Sequence, residues 1–463
     1  MTVHEPKEDT ASAPKRSRFK SNYNLTSRNA WQIRFALWGG ALAIGLTATW
    51  FALAADKANE VFLYGLGISP WMAFIICPGG LMLVSWLTRR WFPGTEGSGI
   101  PQALAALEVS SKSPLRPKVL SIRIAIGKMF LTLLGLCSGA SIGREGPTVH
   151  VGASIMFALG RRLKAPPHYL ERALILGGGA AGVAAAFNTP IAGIVFAIEE
   201  LSRSFEEKTN GIVIAAVILS GFTAQAVLGN YNYFGTSSAL MTGWEDWLAV
   251  PLCGIIGGLL GGLFSQILIT GSERLAPFRL RYPMWIAAGC GLVIATTGFL
   301  SGDLSYGTGY HEASEIIANG QAVSVGYPFF KFFASVASYL SGIPGGIFAP
   351  SLAAGAGVGA DLAQLIPGIS PHVLIMLGMV AYFVGVVQTP LTGFIIVMEM
   401  TNNHSLLLPL MATAFIAFGV SRVVCPKPIY EALARVFLTP AALGKTDETE
   451  ETLPASSNGS KGT

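Results

Sequence analysis

Three short glycine-rich stretches carry the residues best placed to do chemistry: Gly97-Ser98-Gly99-Ile100-Pro101, Gly143-Arg144-Glu145-Gly146-Pro147 and Gly346-Ile347-Phe348-Ala349-Pro350. Glycine frees the backbone, and a proline two to four residues later suits the first turn of a helix, where its missing N–H leaves no bond unmade. Each stretch therefore predicts a helix N-terminus. Such an end presents unpaired N–H groups and roughly half a positive charge, so it attracts anions without a full cation. A single stretch of this kind is usually a tight turn or a packing site. Three in one chain, two of them in equivalent places of an internal repeat, point instead to a shared anion site. An anion that must also leave is better held by N–H groups and hydroxyls than by Lys or Arg.

Individual side chains extend this reading. Ser98 can donate one O–H to an anion, although serine before a helix often only caps it. Tyr430, after the breaker Pro426-Lys427-Pro428, could bring a phenol to the same place, although tyrosines of this kind commonly anchor a chain at a membrane interface. Glu145 differs from both, because a carboxylate at a helix start is stabilised where a mobile anion would bind. It could compete with that anion when charged and withdraw when protonated. Ionisable groups inside a membrane generally face the protein interior and mark ion or proton paths. Glu199 and Glu200 close a charge-free run and are expected near one membrane face, where one of them could collect protons; an ordinary solvated helix end explains either alone. Glu399 reads as structural. Lys128 and Lys331 read as buried counter-charges or as snorkelling side chains.

The elements that must position these groups follow from composition. Of 463 residues, 51% are hydrophobic and 12% charged, against the ~25% charged of an ordinary soluble domain. The charges lie between long apolar runs: residues 35–55, 61–88, 173–198, 247–272, 282–302 and 332–360 carry none. Each run reaches the ~20 residues that cross a hydrocarbon core, and 211–244 and 362–398 could hold more than one crossing. The predicted fold is an all-α polytopic membrane domain with well over ten helical segments. Many of the 55 glycines and 26 prolines sit inside the apolar runs. Irregular backbone survives at that depth only where protein shields it or a wet cavity receives it, so broken and re-entrant helices around an internal pathway are expected.

The flanks are different. Residues 1–30 are polar and basic with no early apolar core, which argues against a cleavable signal and for a cytoplasmic N-terminus in the cell (inner) membrane. The first span would then leave the membrane near Asp56 and the returning span end at Arg89 and Arg90; Arg161, Arg162 and Lys164 fit this orientation less well. Residues 438–463 read as a polar, disordered tail. Cys77, Cys137, Cys253, Cys290 and Cys425 are widely spaced, without metal-ligand spacing, and read as packing residues. No metal, cofactor or nucleic-acid partner is expected. An intramembrane enzyme is disfavoured: there is no HExxH pair, the six histidines are scattered, and no Ser or Cys has a convincing base.

The chain also repeats itself. Asn188-Thr189-Pro190-Ile191-Ala192-Gly193 returns as Gln388-Thr389-Pro390-Leu391-Thr392-Gly393, with Glu199 falling on Glu399. Upstream, Ser138-Gly139, Gly143 and Pro147 return as Ser341-Gly342, Gly346 and Pro350, with Lys128 on Lys331 and Gly152 on Gly355. The membrane domain is thus placed at 31–437, with one repeat at about 31–228 and the other at about 246–437. Repeats that meet at the membrane midplane form a substrate site from broken-helix ends of both halves. Sequence alone leaves parallel and inverted repeats open.

Taken together, the three stretches in this order and Tyr430 closely resemble the CLC chloride channel/transporter family, over about 31–436. The resemblance implies a homodimer in a lipid bilayer, each subunit with its own anion pathway between two inverted repeats. It implies that Ser98 and Tyr430 donate hydroxyls at the central anion site and that the backbone amides of Ile347 and Phe348 complete it. It makes Glu145 the external gate that also carries the proton, and Glu200 the internal proton-transfer glutamate of the exchangers, which channels of the family usually lack. Chloride/proton antiport is therefore expected over a passive anion channel, and serine in the first motif resembles the chloride-selective members. Close bacterial relatives place acidic residues soon after the first motif, whereas this chain has Gln102 and Leu104 before Glu108, which bears on the support of Glu200. The regulatory CBS pair of many relatives is absent from this sequence, so nucleotide regulation through it is not expected.

Overall fold

A computed structural model describes residues 28–110, 113–163, 168–202, 207–229, 232–237 and 239–438. Most of the basic N-terminal segment, Lys164 and nearly all of the polar tail fall outside these residues. The first half comprises α1 (Arg28–Ile68), α2 (Ala73–Trp91), α3 (Ile100–Glu108), α4 (Leu115–Val119), α5 (Ile122–Leu136), α6 (Glu145–Gly160), α7 (His168–Phe187), α8 (Pro190–Phe196), a π-helical turn (Ala197–Ser202) and α9 (Glu207–Leu228). The second comprises α10 (Ala249–Arg281), α11 (Pro283–Leu300), α12 (Tyr310–Asn319), α13 (Tyr327–Leu340), α14 (Phe348–Leu365), α15 (Pro371–Val387), α16 (Pro390–Thr401), α17 (Leu407–Val424) and α18 (Ile429–Leu438). Among the described residues the only sheet-like pairings are two isolated bridges, Gly97 with Pro344 and Gly143 with Gly346.

Eight helical stretches among the described residues are long and apolar enough to cross a membrane. Large apolar side chains such as Trp50, Ile75, Leu259 and Trp285 stand exposed on their outer faces, as a lipid solvent allows. The protein is a multi-pass integral membrane protein. The interior depends on backbone contact. Gly257 and Gly261 of α10 lie so close to Ala381, Tyr382 and Gly385 of α15 that a Cβ at Gly261 would come within 2.5 Å of the Tyr382 carbonyl oxygen. Small residues permit this approach where lipid supplies no hydrophobic drive between helices.

The apolar runs and the helices do not coincide. The helix α1 runs past Asp56 to Ile68, and Asp56 Oδ1 accepts an ion-paired hydrogen bond from Arg144 at 3.0 Å. The charge-free run 173–198 is not one crossing but breaks at Asn188-Thr189-Pro190, where Asn188 has φ 57 and the new helix α8 starts. Run 332–360 breaks likewise between α13 and α14, at the Gly346–Pro350 stretch that predicts a helix start. Hydropathy is blind to such breaks, since the freed backbone groups find protein partners instead of lipid.

The two halves touch through contacts that are their own mirror images. Gly143 N–H donates to Gly346 O at 2.7 Å, and Gly346 N–H donates to Gly143 O at 2.7 Å. The Glu199 carboxylate, at the end of α8, accepts from Leu391 and Thr392 N–H at the start of α16 (3.0 and 2.7 Å). Glu399, at the end of α16, accepts from Ile191 and Ala192 N–H at the start of α8 (3.2 and 2.7 Å). Exchanging the halves reproduces each pair, so a local two-fold relates them, and α8 and α16 run antiparallel across it. The repeats are inverted.

One equivalence is invisible in the sequence comparison because it is out of step with the others. Gly97-Ser98-Gly99 before α3 matches Gly307-Thr308-Gly309 before α12. The first glycines have φ 66 and 61, the second 105 and 82, and the Ser98 and Thr308 hydroxyls accept from the first helical N–H of Ile100 (3.5 Å) and Tyr310 (3.2 Å). Lys128 Nζ donates to Gly97 O at 3.0 Å and Lys331 Nζ to Gly307 O at 2.9 Å. Both lysines are completely buried. They neither snorkel nor neutralise a carboxylate at contact: their hydrogen-bond partners are backbone carbonyls of the paired loops, Glu96 and Gly97 for one and Ser305, Tyr306 and Gly307 for the other.

Candidate anion and proton site

Four helix starts converge on the local two-fold. The loop before α3 pairs with the loop before α14, Gly345 N–H donating to Gly97 O at 3.2 Å. The start of α6 lies beside Ser98: a Cβ on Gly146 would stand 2.5 Å from Ser98 Oγ, so only glycine lets the two termini meet. Gly143 and Gly346 bring α6 and α14 together. The start of α18 closes the group, with the rings of Phe348 and Tyr430 5.9 Å apart. Ser98, Glu145, Ile347, Phe348 and Tyr430 are each at most 3% exposed. Their N-terminal dipoles add at one point, which favours a negative charge there.

The hydroxyls are placed to serve that charge. Tyr430 Oη faces Ser98 and meets no hydrogen-bond partner among the described residues. A buried hydroxyl left without a partner costs about 1–3 kcal/mol, so a small polar or charged guest would be stabilised here. Ser98 Oγ faces Tyr430 and accepts a long contact from Ile100 N–H, and its own O–H can be donated. It therefore does part of a cap's work and retains a donor.

Glu145 occupies the centre of this arrangement. Its Oε2 lies against Gly143 and its carboxylate is near the Ala349 amide in the first turn of α14, so it sits between the starts of α6 and α14. Its Oε1 accepts from the Tyr233 hydroxyl at 3.0 Å. The neighbouring Arg144 guanidinium pairs with Asp56 and lies 5.7 Å from the centre of the Tyr233 ring. An acid so placed stands where a small anion would be held by the same amides.

Glu200 is 2% exposed, not at a solvated helix end. The π-helical turn sends adjacent residues to different tasks: Glu199 turns back to cap α16 with both oxygens, whereas Glu200 turns inward within electrostatic reach of Tyr430. Such turns recur at functional positions. The pair expected to lie together at a membrane face is thus separated, and Glu399 has the structural place expected for it. Gln102 is buried and donates to Glu96 O at 2.6 Å, so its amide braces the loop that carries Ser98. Tyr233 belongs to no motif in the sequence. It lies in an irregular connection after α9, where nothing in its spacing separates it from an interfacial aromatic.

A sequence profile described as "Voltage gated chloride channel" matches residues 80–422. The H(+)/Cl(-) exchange transporter ClcA of Vibrio vulnificus (strain YJ016) is 32% identical over 425 residues, covering 85% of this chain and 87% of that protein. The chain belongs to the CLC family. Among solved CLC structures it resembles a slow cyanobacterial Cl-/H+ antiporter, with TM-score 0.77 and 25% identity over 88% of this chain and 98% of that one. A CLC-type fluoride/proton antiporter shares the fold, with TM-score 0.73 and 23% identity over 87% of this chain and 98% of that one. The family match begins inside α2 and ends inside α17, so it takes in both halves, including Ser98, Glu145, Glu200, Ile347 and Phe348, while Tyr430 lies just beyond it.

Proposed function

We propose that this chain exchanges chloride for protons across a lipid bilayer. The observation that carries the proposal is the seat of Glu145: a carboxylate buried between two helix starts, beside the amide of Ala349, in a place equally suited to a halide. Ser98 and Tyr430 donate hydroxyls to chloride, and the amides of Ile347 and Phe348 complete its shell. Dipoles and hydroxyls hold the ion without a fixed cation at contact, which keeps binding reversible.

Glu145 is the external gate. Charged, it competes with chloride for the same donors; protonated, it loses that advantage, leaves its seat and carries the proton out. Glu200 delivers protons from the inner side. Its burial beside Tyr430 favours exchange over a passive channel, since a channel has no use for a second acid sealed in the interior. The relatives named as exchangers support the same choice. The transport unit is residues 31–437, working as a homodimer in the cell (inner) membrane with its N-terminus in the cytoplasm.

The test is Glu145→Gln in reconstituted vesicles. Chloride should still pass while a pH gradient no longer drives it; pH-driven chloride movement at the wild-type level would overturn the gate assignment.

A further inference from the structure

Tyr233 holds the strongest unassigned position in the molecule. Its hydroxyl donates to Glu145 Oε1 at 3.0 Å, with the two residues 1% and 0% exposed. A bond from a neutral donor to a charged acceptor is roughly twice as strong as one between neutral groups. The ring has little freedom to drift. It packs edge-on against Phe187 at 5.5 Å, Phe234 at 4.9 Å and Tyr310 at 5.1 Å, and Arg144 lies over its face. A cation there draws on the ring's electron density, which strengthens the O–H as a donor.

The inverted repeat gives this contact a place in the architecture. Tyr233 follows α9, and Tyr430 follows α17, its equivalent in the second half. Tyr430 sits near Ser98, which precedes α3; Tyr233 packs on Tyr310, which opens α12, the equivalent of α3. Each half therefore sends one phenol to the site, and Glu145 lies between the two.

We infer that Tyr233 is a latch that holds the charged Glu145 carboxylate in its seat and so sets the chloride concentration and the pH at which exchange begins. The inference rests on the assignment of Glu145 as the gate. Tyr233 acts through Glu145 and is a positioning residue. When Glu145 is charged the latch bond is at full strength and chloride must displace a braced competitor. When Glu145 is protonated the bond falls to the strength of a neutral pair, and the side chain is released. The other charged or titratable groups facing this pair are Arg144 with its partner Asp56, Tyr310 with His311 against its ring, and Tyr430. None is altered by changing Tyr233.

The experiment is Tyr233→Phe in the full chain, which keeps the ring and deletes the donor, reconstituted in vesicles beside Glu145→Gln and the double variant. Half-saturating chloride at neutral pH should fall by on the order of tenfold. Because a tenfold weaker hold on the charged form equals about one pH unit, the flux-against-pH curve should move to higher pH by that amount. The chloride-to-proton ratio should be retained. In the Glu145→Gln background, Tyr233→Phe should leave chloride affinity unchanged, as no carboxylate remains to be held. Wild-type half-saturation and pH profile in Tyr233→Phe, with Glu145→Gln uncoupled as expected, would overturn the latch alone. An equal change of affinity in both backgrounds would also overturn it, by showing that the phenol acts on chloride directly. Intact proton coupling in Glu145→Gln would remove the gate assignment and the latch together.

Discussion

Glu199→Gln separates two roles that adjacent acids in one turn could exchange. Glu199 accepts hydrogen bonds from Leu391 N–H at 3.0 Å and Thr392 N–H at 2.7 Å, and it complements the positive end of α16. A hydrogen bond to a charged acceptor contributes about 1.5–3 kcal/mol, and a charge at a helix start about 0.3–1 kcal/mol. Glutamine keeps the shape and one acceptor oxygen but turns an NH2 group toward a backbone N–H. One bond and the charge are lost, so the expected destabilisation is about 2–4 kcal/mol, with most of one contact surviving. Thermal unfolding in detergent should show the loss, and the equivalent Glu399→Gln should match it because its bonds are the mirror image. Chloride and proton fluxes in vesicles should keep their wild-type ratio. Proton transport abolished in Glu199→Gln with unchanged thermal stability would refute the reasoning, since it would make Glu199 a proton carrier and not a cap.

Other perturbations give different signatures. Glu200→Gln should lose proton transport while chloride still moves, read by simultaneous chloride and pH recording; equal loss of both would show that the residue supports the fold. Tyr430→Ala should weaken chloride binding or loosen coupling, and calorimetric titration with chloride at the wild-type affinity and coupling would contradict its place at the site. Gly143→Ala puts a methyl group where Glu145 Oε2 now lies, so the carboxylate should be expelled from its seat and half-saturating chloride should fall; an unchanged chloride dependence would argue against a shared seat.

Much of the site was legible because glycine and proline have few physical uses. Three Gly-to-Pro stretches predicted buried helix starts at Ile100, Glu145 and Phe348, and an acid at one of them stood out in a chain so poor in charge. The repeat was legible at Thr189-Pro190 and Thr389-Pro390, which open α8 and α16. Its inversion was not, because direction lies in the reciprocal bonds of Glu199 and Glu399 and not in the order of residues. The Gly307-Thr308-Gly309 counterpart escaped because insertions shift its register. Tyr233 escaped because an irregular connection leaves no periodic trace of where it folds back. The buried lysines escaped because a carbonyl cradle has no signature in side-chain chemistry.

The most direct measurement records chloride and pH together in vesicles containing the wild-type chain. An outward chloride gradient should drive protons against their own gradient until the two balance. Chloride efflux with no displacement of protons would contradict the account, because the seat of Glu145 would then gate an ion path without coupling it to a proton.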